Sequence, residues 1–198
     1  MRWVTEHVPA LDEIEAAHAG VGGQGPGRRY ATQQVNHAYA VLLASRFQAF
    51  CRDLHSEVTD HMADAAPAGI LRDVLRERLL DNRQLDRVNA QPGSIGSDFN
   101  RFGLNLWQAL YALRAQNKER NGKLELLNTW RNAIAHQDFT DLAGETLGLQ
   151  DVQAFRSACS ALVSAMDRVM RTICATWPAT THGDTVEAWA RERLRPLT

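Results

Sequence analysis

Arginine, asparagine and histidine fall within six residues of one another in the stretch WRNAIAHQDF, at Arg131, Asn132 and His136. These side chains have complementary chemistry. Histidine titrates near neutral pH and serves as proton acceptor or donor. Arginine stays charged and can grip an oxyanion with two parallel N–H groups. Asparagine can donate a hydrogen bond or hold a neighbour in orientation. Together they suit proton transfer beside a negatively charged group.

Their spacing limits how one helix can present them. At about 100° per residue, Asn132 and His136 share a face, while Arg131 and His136 lie about 140° apart. Two arrangements would close that gap. The helix could end at His136 and let that side chain swing round, or two copies of the chain could combine their residues across a dimer axis.

Other candidates are thinner. Arg46, Gln48, Arg101 and Lys123 are read as nucleic-acid contacts, with a plain surface role the alternative for Arg46 and Gln48. His37, His55 and His61 lie on one helix with Glu57 and Asp60, and His55, Glu57 and His61 could hold a metal. No HExxH supports that, a solvated face explains them better, and no metal or other cofactor is expected. The glycines of GVGGQGPG lack a following Lys-Ser/Thr, so they form a linker rather than a phosphate loop. Cys51, Cys159 and Cys174 are widely spaced, form no CxxC pair and read as buried thiols.

Helices must position these residues. A short one is expected after Pro9, ending at Gly20, and a long one from about Thr32 to Ala65. The long helix carries Val35, Tyr39, Leu43, Phe47, Phe50, Leu54, Val58 and Met62 at steps of three and four. Another runs from about Ile70 to Leu85. NAQPGSIGSDFN reads as a loop, with Ser97 or Asp98 capping a third core helix from about Phe99 to Gln116. Asn121-Gly122 should break the chain before a fourth helix from Lys123 to His136. A fifth spans Asp151 to Trp177, and a short amphipathic one starts near Asp184. No segment alternates as a strand would.

The expectation is therefore an all-α, up-and-down bundle of four to five helices. Residues 1–31 form an N-terminal appendage and linker, 32–178 the bundle, and 179–198 a C-terminal helix. The chain has 198 residues, 44% of them apolar, enough for one core. No apolar run nears the roughly 18 residues of a membrane span. The N-terminus lacks a signal-peptide core, so a cytoplasmic protein without membrane contact is expected. The net charge of −1 excludes a generically basic nucleic-acid binder. Residues 99–136 nevertheless carry six bases against two acids, and the remainder sixteen against twenty-one. The basic excess leads into the Arg–His motif, where phosphate binding would need it.

The string LLNTWRNAIAHQD, with its Arg-x4-His, resembles the signature of the HEPN superfamily, particularly the RiboL-PSP-HEPN branch. VNHAYAVLLASRFQAFCRDLHSEV and DFNRFGLNLW are similar to other parts of that branch, and the resemblance covers roughly Thr32 to Trp177. It implies an all-α, homodimeric, metal-independent endoribonuclease. Arg131, Asn132 and His136 would be its catalytic residues and RNA its substrate. A toxin or antiviral effector restrained by an antitoxin or regulatory protein is implied as well. The rival expectation is a non-catalytic helical module that binds a protein or RNA partner.

Overall fold

The computed structural model describes residues 3–21, 28–66 and 68–177, with side chains in the second helix from Ala31. A π-helical turn, Trp3–His7, leads into α1 (Val8–Val21). Then come α2 (Arg28–Asp64), α3 (Ile70–Leu80), α4 (Pro92–Phe99), α5 (Leu106–Leu113), α6 (Asn117–His136) and α7 (Leu149–Thr176). Three short 3-10 turns, Gln84–Asp86, Asn100–Phe102 and Thr140–Leu142, join some of them. The described residues contain seven α-helices and no strand.

The heart of the molecule is α2, α6 and α7 packed on one another, with α1 and α3 laid against α2. At 1.5 Å per residue α2 is about 55 Å long and α7 about 42 Å. Tyr39, Leu43, Phe47, Cys51 and Met62 of α2 are fully buried. So are Val152, Cys159, Leu162, Met166 and Val169 of α7. The stripes expected from the sequence are thus the buried faces.

The N-terminal segment joins this core rather than hanging from it. Trp3 is 2% exposed and packs edge-on against Phe47 and Phe50, and its indole N–H donates to Ser160 of α7. Leu11 is fully buried. Arg156 of α7 binds Asp12 and Glu15 of α1, and the Tyr39 hydroxyl donates to the same Glu15.

The structure differs from the sequence expectation in several places, among them α3, which stops at Leu80 rather than near Leu85. The third core helix, expected over Phe99–Gln116, is divided. Pro92 stands at the first position of α4, where its missing N–H costs nothing. Gly103 at φ 73° stops the following 3-10 turn, and the Asn105 side chain caps α5 by accepting from Gln108 N–H. Gly96 admits the Trp107 indole so closely that a Cβ there would lie 3.2 Å from it. Ser97 and Asp98 sit inside α4 and cap no following helix.

The expected break at Asn121-Gly122 is absent, and α6 runs through both residues. Buried Asn117 donates to Leu110 O, and Asn121 donates to the Tyr111 hydroxyl. These tertiary bonds outweigh the roughly 1 kcal/mol that an interior glycine costs. The helix expected from Asp184 lies outside the described residues.

Candidate functional site

The end of α6 is fixed from three sides. Leu124, Leu127, Trp130 and Ala133 anchor it in the core. The helix stops because Gln137 adopts a left-handed conformation (φ 55°), and Asp138 N–H reaches back to Ala133 O at 3.0 Å. Asp138 then turns the chain by accepting from both the backbone N–H and the hydroxyl of Thr140. These bonds, with a smaller pull from His136, hold its carboxyl below the usual range. Phe139 comes back to stack on His37 of α2, ring centres 5.7 Å apart, and leans on Trp130. Asn36, next to His37, donates to Leu147 O, so α2 secures both ends of the α6–α7 connection.

On this frame Arg131 and Asn132 come together. Arg131 Nη1 donates to Asn132 Oδ1 at 3.2 Å. Asn89, from the α3–α4 connection, donates its side-chain amide to the same oxygen at 2.6 Å. An oxygen that accepts two N–H groups fixes which way the Asn132 amide faces. Asn132 therefore braces Arg131; no side-chain hydrogen bond links it to His136 among the described residues.

His136 is the last helical residue and is exposed. It makes no hydrogen bond to Arg131 among the described residues, and α6 stays helical up to it. The gap of about 140° between the two side chains thus remains open within one chain.

The other candidates have different partners. Gln48 donates to Leu85 O at 2.8 Å and Val88 O at 2.9 Å, so its amide holds the α3–α4 connection. Arg101 donates to the carbonyls of Leu79, Asp81 and Asn82 and thereby closes the end of α3. Lys123 pairs with Glu119 at 3.0 Å and borders a 320 Å³ groove between α6 and α7, beside Arg120 and Ser157. Lys123 is about 12 Å along α6 from Arg131. Arg46 is half-buried, with Nε enclosed and unpartnered among the described residues.

His55, Glu57 and His61 do not converge. His55 is buried against Phe99 and Phe102, its Nε2–H donating to Asp98 O. Burial pushes its pKa down to about 4. His61 instead meets Cys174 O at 3.0 Å. Among the described residues no three His, Cys, Asp or Glu side chains are grouped to hold a metal. Cys51 and Cys159 are buried and Cys174 half-buried, all as free thiols. No described helix is long and apolar enough to cross a membrane.

Sequence reasoning did not find Asn89 or the place of His37. Asn89 meets Asn132 across 43 residues of chain, and no local pattern marks such a pair. No family model, characterised protein or solved structure matches the chain.

Proposed function

We propose that the chain is a HEPN-type endoribonuclease that cleaves RNA without a metal. One observation carries this reading. Arg131 is braced by Asn132 at the end of a core helix, and an exposed histidine stands little more than one turn further on. In the proposed reaction the RNA 2′-hydroxyl attacks the adjacent phosphorus. A 2′-O–P bond forms and the P–O5′ bond breaks, leaving a 2′,3′-cyclic phosphate. Arg131 offers charged N–H donors to the phosphoryl oxygens as negative charge grows there. His136 removes the 2′ proton or protonates the departing 5′ oxygen.

One histidine does not readily fill both roles in a single step. A homodimer that pairs two α6 ends supplies the second histidine and bridges the angular gap. In this reading the protein is cytoplasmic and acts as a toxin or antiviral effector, restrained by an antitoxin or regulatory protein. The test incubates purified protein with RNA in excess chelator. Cleavage that leaves cyclic phosphate ends, and falls at least about 100-fold in both Arg131→Ala and His136→Ala, is expected. Cleavage that ignores both substitutions, or none by the wild type, refutes the proposal.

That no hydrogen bond joins Arg131 to His136 among the described residues favours a second reading, a non-catalytic module that binds RNA or protein through the basic side of α6. There, neither substitution changes any reaction, and expression does not harm a host cell.

A further inference from the structure

We infer that Asn89 is a positioning residue for Arg131, acting through Asn132; its kinetic consequence rests on the ribonuclease reading above. Asn89 and Arg131 donate to a single oxygen, Asn132 Oδ1, at 2.6 and 3.2 Å. That shared acceptor leaves one arrangement of the Asn132 amide. The oxygen faces the two donors and Nδ2 faces away. Nδ2 makes no hydrogen bond among the described residues, and the Arg131 guanidinium, with one N–H given to Oδ1 of the same amide, has N–H groups to spare. The result is a guanidinium and an amide N–H held in fixed relation, a donor set suited to a phosphoryl group.

Asn89 can do this because its own backbone is held. The Asp98 carboxylate accepts the N–H groups of Gln84 and Leu85. Gln48 of α2 donates to Leu85 O and Val88 O. Asn128 of α6 donates to Ala90 O at 3.1 Å, and Gln91 N–H to Asn89 O at 2.7 Å. Carbonyls on both sides of Asn89 are therefore fastened, one to α2 and one to α6. Gln48, read from the sequence as an RNA contact, here supports the backbone that presents Asn89.

Two substitutions separate positioning from mere packing. Asn89→Ala removes one donor and leaves the Arg131–Asn132 bond in place. Asn89→Asp keeps the size but exchanges the donor for a charged acceptor. The Asn132 amide must then turn its NH2 toward residue 89 and withdraw its oxygen from Arg131, while the new carboxylate competes for the guanidinium. A structural role would make the isosteric change the milder one, and positioning makes it the worse.

The experiment measures kcat and KM for RNA cleavage, melting temperature, and the side-chain amide signals of Asn132 in 15N–1H spectra without RNA. The Asn132 signals are assigned by their loss in Asn132→Ala. We expect kcat to fall a few-fold in Asn89→Ala and about tenfold or more in Asn89→Asp, with KM within about twofold. Melting temperatures of the two variants should agree within about 3 °C. The Asn132 signals should move in both variants, and further in Asn89→Asp. Asn89→Asp as active as Asn89→Ala, or losses that follow melting temperature, overturns the inference. If no form cleaves RNA, the ribonuclease reading fails by itself and the spectra alone decide. Asn132 signals unmoved in both variants then overturn the positioning role, and shifted signals uphold it.

Discussion

Replacing Asp98 by alanine removes a carboxylate that is completely buried and whose two oxygens each have work to do. Oδ1 accepts Gln84 N–H at 2.9 Å and Oδ2 accepts Leu85 N–H at 2.8 Å. Arg101 Nε lies 3.8 Å from Oδ1. A hydrogen bond to a charged group contributes about 1.5 to 3 kcal/mol net. Gln84 is exposed, so water can satisfy its N–H once the carboxylate is gone, whereas Leu85 is fully buried. We therefore expect Asp98→Ala to cost about 3 to 4 kcal/mol, a large part of the roughly 5 to 15 kcal/mol that holds a domain folded. Asp98→Asn keeps the volume but sets an NH2 against one of two backbone donors. It should cost about 2 to 3 kcal/mol. Urea unfolding followed by circular dichroism measures both, read from the midpoint shift at constant slope. A loss below about 1 kcal/mol for Asp98→Ala, typical of an exposed site, would refute the view that this carboxylate organises the α3–α4 connection.

Two further outcomes follow from the core and its histidines. Trp3→Ala empties a buried indole site and should cost about 3 to 5 kcal/mol in the same urea assay; a surface-like loss would show that the N-terminal turn lies outside the core. Stability should also depend on pH through His55, whose pKa is drawn from 6.5 to about 4. Between those values the unfolded chain binds a proton that the folded chain refuses, so stability falls as pH drops through this window and is fully present above it. Burial lowers His37 in the same direction, so His55→Phe should flatten the pH 7 to pH 5 difference without abolishing it. An unchanged difference in His55→Phe would show that His55 does not carry the effect.

Periodicity made the long elements legible. The apolar steps in α2 and α7 located both helices to within a few residues, because burial of a continuous stripe dominates local preference there. The weak points were positions where propensity and tertiary contact compete. Gly122 looks like a breaker, yet Asn117 and Asn121 tie the first turns of α6 to α5. Pro92 and Gly96 look like loop residues, yet one starts α4 and the other makes room for Trp107. Asp98 looks like the cap of the next helix, but it binds backbone N–H groups 13 and 14 residues earlier. At the candidate site, Arg131 and Asn132 were readable as neighbours on one helix. Their third member, Asn89, was not, since its contact depends on how the α3–α4 connection folds over α6. The polar residue after the arginine also invited a bond to His136 one turn on, whereas the structure directs its oxygen to Arg131 and Asn89.

The partners of the N-terminal turn impose an order on biosynthesis. Trp3 and Ser160 are 157 residues apart, and Asp12 meets Arg156 across 144. At about 5 to 20 residues per second, Trp3 waits roughly 8 to 30 s for Ser160 to be made. During that time the apolar side of α2 also lacks α7. Trp3 can already reach Phe47 and Phe50 of α2, but its bond to Ser160, and the ion pairs of Asp12 and Glu15 with Arg156, wait until α7 has been made.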